Sequence, residues 1–286
     1  SLINVEYKQL KNRVIEKIGY TQAWSLIERA KTSHKREDHL KAKENYEKAS
    51  EILKSLRRYK YETSYFTAWA LLEKAEQFSK QNKQKEAIKQ YEKTKMTFKD
   101  AIETLEQASK KSKEKSDKER IEKLEKVAKV RIDYCTARIN LEKAKILGKQ
   151  GEHNVAAEKF AMAASQFRSI CTVFKIERER KELEAIYYLC RAWESMELAE
   201  SYKDPDRFAE AANLFTKASN HFTASKLKLL ASGNSAFCQA LEQGCKFDAS
   251  TEKQIKAQIY PKVKSMLRKA ASTYGKGGFE KEADWA

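Results

Sequence analysis

At 286 residues the chain is long enough for one large domain or two small ones, and 41% apolar residues allow a sizeable core. Two Pro, eight Gly and 35% charged residues, with no alternating β-branched runs between turn residues, exclude a sheet protein and point to helix nearly throughout. The formal net charge of +17 favours contact with anionic partners such as nucleic acid or an anionic membrane surface, although Lys and Glu are interspersed along most of the chain.

No apolar stretch approaches the roughly 18 residues of a membrane-spanning helix. The start, "SLINVEYKQL", has no basic-then-apolar leader pattern, and the missing initiator Met suggests a trimmed chain. Five cysteines (Cys135, Cys171, Cys190, Cys238 and Cys245) are odd in number and outside any Cys-x-x-Cys pair. Such usage fits reduced thiols in the cytoplasm better than a disulfide framework.

In chain order, the elements follow one recurring frame. It is first visible in "QAWSLIERAKTS" at Ala23-Trp24, returns in "TAWALLEKAEQF" at Ala68-Trp69, starts with Ala137-Arg138 in its third occurrence, and returns in "RAWESMELAESY" at Ala192-Trp193. With the first alanine as place 0, place 7 holds Ala30, Ala75, Ala144 and Ala199. Place 19 holds Ala42, Ala87, Ala156 and Ala211. Place 23 is aromatic each time, as Tyr46, Tyr91, Phe160 and Phe215. Place 26 is small (Ala49, Thr94, Ala163, Ala218), and place 30 is large and apolar (Leu53, Phe98, Phe167, Phe222).

This is the pattern of a helical hairpin. Small residues at places 7 and 19 mark where two backbones approach closely, and large residues at places 23 and 30, seven apart, share one face of the second helix. Between the helices come "KQNKQKE", "GKQGEHN" and "YKDPDRF", polar segments with turn residues. The frames start 45, 69 and 55 residues apart, so lengthened or extra helices must fill the intervals. The widest interval contains no apolar residue from Lys110 to Arg120, which marks an exposed helix end or connector and a possible sub-boundary near 108–122.

Towards the end, Gly244 is expected to break a helix and Asp248, Ser250 or Thr251 to cap the next, with Pro261 kinking that helix or marking its start. The frame then begins again at Lys264, with Ala271, Tyr274 and Ala283 in register. "YGKGGF" reads as the turn of this last hairpin, and the chain is expected to finish in mid-repeat.

The frame resembles the tetratricopeptide repeat, in which small residues lie where two antiparallel helices meet. "AWALLEKAEQFSKQNKQKEAIKQYEKT" carries the closest likeness, with Ala75 at the family's small position, Phe78 at its Tyr position, and Ala87 and Tyr91 at its later Ala and Phe. The family's tryptophan place holds Leu26, Leu71, Asn140 and Ser195 instead, and its closing proline is absent, so second helices can run on. The resemblance implies a single all-α domain over residues 1–286, an irregular α-solenoid of antiparallel hairpins with lengthened and inserted helices. It also implies a non-enzymatic scaffold or adaptor that binds a partner protein or peptide.

In that family the residue one place into the frame faces the concave groove. The resemblance therefore puts Trp24, Trp69, Arg138 and Trp193 in a groove strip, joined by Ile27, Leu72, Leu141 and Met196. Lengthened helices that fill the groove would make the same residues core. An alternative role, electrostatic binding of nucleic acid or an anionic membrane surface, rests on two basic segments. One is Lys110, Lys111, Lys113 and Lys115; the other is the amphipathic stretch carrying Lys256, Lys262, Lys264 and Arg268. No catalytic or metal-binding motif stands out, and no cofactor is expected: there is no HExxH, no Cys/His cluster and no phosphate-binding glycine loop. His34, His39 and His153 fall in charged turns between helices. The partner and oligomeric state are not written in the sequence.

Overall fold

The computed structural model describes residues 2–173 and 177–286. Among the described residues there is no strand, and the chain is a succession of helices. In order these are α1 (Leu2–Lys35), α2 (His39–Ser55), a single 3-10 turn (Lys60–Glu62), α3 (Thr63–Lys80), α4 (Gln84–Lys111), α5 (Lys115–Lys149), α6 (His153–Cys171), α7 (Glu177–Tyr202), α8 (Pro205–His221), α9 (Ser225–Ala249), α10 (Lys253–Lys276) and α11 (Glu280–Trp285). The chain divides into two compact units, Ser1–Glu142 and Lys143–Ala286, and the division falls inside α5.

In each unit the helices pack on their neighbours in sequence, as in an α-solenoid. In the first unit α1 packs on α2, α2 on α3 and α3 on α4; in the second the succession runs from α6 to α11. The frame explains why. The starting alanines and those at places 7 and 19 are fully buried in all four frames, and the aromatic residues at place 23 are nearly so. Places 26 and 30 are buried as well. Alanine has no side chain beyond Cβ, so two helices can close on one another there, while the aromatics fill the space one turn further on.

The turns repeat as faithfully as the core. Glu37, Asn82 and Gly151, all at place 14, adopt positive φ (58°, 56° and 80°). In each case the next residue's N–H donates to the carbonyl at place 10: Asp38 to Ser33, Lys83 to Phe78 and Glu152 to Leu147. This bond closes a helix C-terminus with a left-handed residue. The hairpin counted from Lys264 does the same, with Gly278 at φ 70° and Phe279 N–H donating to the Tyr274 carbonyl. The α7–α8 turn comes earlier: Lys203 takes the positive φ (53°), Asp204 caps α8 by accepting from the Asp206 N–H, and Pro205 occupies the first turn.

The unequal intervals are also accounted for. α4 runs to Lys111, and α5 and α7 begin well before the frames at Ala137 and Ala192. α9 is a further helix between the fourth frame and the last hairpin. Two local expectations need correction, and of the two roles expected of Pro261 one is excluded. Gly244 does not break α9, which continues to Ala249; a single helical glycine costs only about 1 kcal/mol against alanine, and the buried Ala236, Cys238 and Ala240 hold the helix in place. The N-cap of α10 is Glu252, without a side-chain cap, although Ser250 Oγ accepts from its N–H. Pro261 lies within α10 rather than at its start. The carbonyl its ring leaves unpaired belongs to exposed Ala257, where water can bond to it.

Candidate functional site

The frame tryptophans are half-buried, and each is closed over by another part of its own unit. Trp69 stands among Tyr46, Tyr65 and Phe98, at ring-centroid distances of 5.8, 6.4 and 6.1 Å. Its remaining face is covered from α5, where the Arg131 guanidinium lies 4.6 Å from the ring centroid. Trp24 meets Phe66 edge-on, and Arg120, also on α5, lies 5.5 Å from its ring. In the second unit Trp193 stacks on Phe160 at 6.3 Å and meets Phe215 edge-on at 5.3 Å. Ile27, Leu72 and Leu141 are buried, and Met196 packs with Leu189 and Leu214 beside Cys238.

Arg138 takes the tryptophan's place in the third frame, and it too turns inward. Its Nε donates to Tyr91 Oη and its Nη2 to Ser79 Oγ, each at 2.9 Å, and Nη2 pairs with Glu76 at 2.9 Å. Tyr134 Oη completes the set by donating to the other Glu76 oxygen. Burial alone would lower the guanidinium's pKa, but Glu76 and its neighbours outweigh it and hold the charge firmly.

A second pattern was missed because its residue type reads as solvent-facing. Place 5 is Glu in every frame: Glu28, Glu73, Glu142 and Glu197. Glu28 is exposed and pairs with Lys31. The other three each reach back to the turn of the preceding hairpin and meet a polar side chain at place 11, place 16 or both. Glu142 accepts from Ser79 Oγ at 2.6 Å. Glu197 pairs with His153 Nδ1 at 2.7 Å, and place 11 is Gly148, where a Cβ would come within 2.3 Å of the carboxylate. Burial raises the Glu197 carboxyl above the usual range, with His153 partly offsetting it.

Glu73 has an imidazole on each side. His34 Nδ1 is 2.8 Å from Oε1 and His39 Nδ1 is 2.8 Å from Oε2. Burial would raise this carboxyl too, but the two imidazoles hold it below the ordinary carboxylate value. A periodic Glu at the fifth place, with His, Ser or Gly at the eleventh, was the available sequence signal.

The basic segments are on the surface. Lys110, Lys111, Lys113 and Lys115 are exposed around the α4–α5 turn, whose acids Glu114 and Asp117 pair with Arg58. Lys262, Lys264 and Arg268 are exposed on α10, and Lys256 lies 4.8 Å from the Phe247 ring centroid. From Lys253 to Lys276 that helix contains no Asp or Glu. A different surface is apolar: Tyr7, Leu10, Val14, Ile15 and Ile18 on the first half of α1 are between 47% and 67% exposed.

Comparison with protein-family models, with curated proteins and with solved structures finds no match to the chain. Among the described residues no helix is long and apolar enough to cross a membrane.

Proposed function

We propose that the chain is a tetratricopeptide-like, non-enzymatic interaction scaffold that binds an acidic amphipathic helix of a partner protein along the exposed half of α1. The apolar stripe on α1 carries this reading. Tyr7, Leu10, Val14 and Ile18 follow helical spacing, so they line one face, and apolar surface of this kind marks interaction sites. Exposed Lys8, Lys11, Arg13 and Lys17 flank the stripe on both sides, while Glu16 is engaged by the backbone N–H groups of Arg57 and Arg58. A helix with an apolar seam and acidic shoulders complements that face in both shape and charge. The groove tryptophans are a poorer site, because Arg120 and Arg131 lie over Trp24 and Trp69. Cysteines that form no disulfide among the described residues suit a reducing compartment, which favours the cytoplasm.

A photo-crosslinking residue at Leu10 tests this in the source cells. The expected product joins α1 to an acidic helical segment of another protein, and Val14→Glu abolishes it. Crosslinks only to a second copy of the chain, or none above the level at an exposed site on α4, would refute the reading.

The acid-free α10 supports a second reading, attachment to an anionic surface. Sedimentation with phosphatidylserine vesicles, lost on Lys262→Glu/Lys264→Glu and at high salt, would favour it. Equal sedimentation with neutral vesicles would count against it.

A further inference from the structure

The three Glu sockets provide an internal comparison. At places 11 and 16 the second socket has Ser79 and Gln84, the third has Gly148 and His153, and the first has His34 and His39. Ser79 Oγ donates to Glu142, and His153 Nδ1 pairs with Glu197. Only the first socket has two imidazoles.

The geometry of the pair is informative. Glu73 is fully buried and His39 nearly so, while the His34 side chain is 47% exposed. His39 Nδ1 and Glu73 Oε2 form a hydrogen bond. Glu73 Oε1 is different. It is buried and has no donor aligned for a hydrogen bond, although His34 Nδ1 stands only 2.8 Å away. An imidazole nitrogen and a carboxylate oxygen that face one another at this range are also a donor set that one metal ion can share. Ligand atoms of all three residues lie within 4.8 Å of one another.

We propose that His34, His39 and Glu73 form a three-ligand binding site for a divalent transition metal, with zinc the best match. Two imidazoles and one carboxylate are ligands for zinc, cobalt or nickel rather than for calcium or magnesium, which prefer all-oxygen sets. Zinc binds nitrogen and carboxylate oxygen at about 2.0–2.2 Å, which separates tetrahedral ligands by about 3.3 Å. The 2.8 Å contacts open by roughly half an ångström to reach that. His34 can supply the movement, because it sits half-exposed in the last turn of α1. Its exposed side leaves the fourth position to water. The turn between the two histidines is anchored, since Lys80 on α3 donates to the Glu37 carbonyl at 3.0 Å and pairs with its carboxylate. Glu73 is fixed from the same helix, so the ligands come from α1, α2 and α3 on a braced support.

Cobalt(II) is the probe, because its visible d–d absorption reports coordination by nitrogen and oxygen. The full chain is expected to bind one cobalt per molecule at micromolar concentration, with zinc displacing it. His34→Ser and His39→Gln copy the residues of the second socket, so both variants keep a socket this chain already folds around. Each should weaken cobalt binding at least tenfold with the helical circular dichroism unchanged. No visible band in the wild-type chain overturns the proposal whatever the variants do. So does a band that survives in both variants, or a thiolate charge-transfer band, which would place the ion on a cysteine.

Discussion

The guanidinium of Arg131 lies over the indole of Trp69, 4.6 Å from the ring centroid, so a side chain of α5 covers a ring that belongs to the α3–α4 hairpin. Tyr46, Tyr65 and Phe98 hold the ring's other sides. Trp69→Ala therefore removes a packing centre and should lower stability by about 3–5 kcal/mol. Arg131→Ala should cost less, about 0.5–2 kcal/mol, and shift the indole emission to the red as water reaches the ring. Urea denaturation followed by circular dichroism measures both. A Trp69→Ala chain that unfolds at the wild-type midpoint would take Trp69 out of the core.

The turns allow a cleaner test, free of packing. Gly151 has φ 80°, and a Cβ there would meet nothing within 4 Å. Gly151→Ala should then cost only the left-handed backbone penalty of an L-residue, about 1–2 kcal/mol. At the equivalent place Glu37 already bears that penalty at φ 58°. Glu37→Gly relieves it, but it also removes the carboxylate paired with Lys80, an exposed bridge of little value. The two substitutions should shift the melting midpoint in opposite directions. A shift in the same direction would mean that the two turns are not equivalent.

The hairpin frame was legible because burial recurs at fixed places: alanines where backbones meet and aromatics seven apart are a signal that one sequence carries by itself. What covers the tryptophans was not. Arg120 and Arg131 lie far along the chain from Trp24 and Trp69, among many Lys and Arg that do face water. The Glu sockets hid behind the same expectation, since glutamate on a charged helix reads as solvent-facing unless its period is noticed. Gly244 shows the opposite error, a local breaker overridden by the burial of the helix that precedes it. The α1 stripe shows a further limit, because helical spacing cannot say whether an apolar face has a neighbour.

Close packing makes some substitutions costly despite their small size. Ala87 is fully buried at place 19, so Ala87→Leu should overpack the α3–α4 hairpin by about 1–3 kcal/mol. Gly233 is stricter. A Cβ there would come 2.5 Å from the Tyr274 ring, whose hydroxyl donates to buried Asn234 at 2.7 Å. The ring can withdraw only by breaking that bond. Gly233→Ala should therefore destabilise the second unit more than Gly244→Ala, where a Cβ meets open space. Equal melting midpoints for the two glycine variants would contradict the placement of Tyr274.

The thiols should divide sharply by reactivity. Cys135 and Cys238 are fully buried, and burial pushes each up to about 12, with Glu76 adding to the effect at Cys135 and Glu200 at Cys238. The thiolate is the nucleophile, so these two should resist alkylation at pH 8, where an ordinary thiol is already partly ionised. Cys245 is raised as well, again chiefly by burial, but it is only partly covered and should react first. The sign of the linkage also follows. A folded pKa raised above the unfolded value favours the folded chain while the thiol stays protonated. That advantage is lost as pH rises from the unfolded thiol's value near 9 towards about 12, because only the unfolded chain ionises there. Stability should therefore fall across that alkaline range, and a Cys135→Ala/Cys238→Ala chain should fall less. Mass spectrometry after timed iodoacetamide treatment reads the first outcome. Modification of Cys238 as fast as Cys245 in the folded chain would show that α9 does not stay packed on α8.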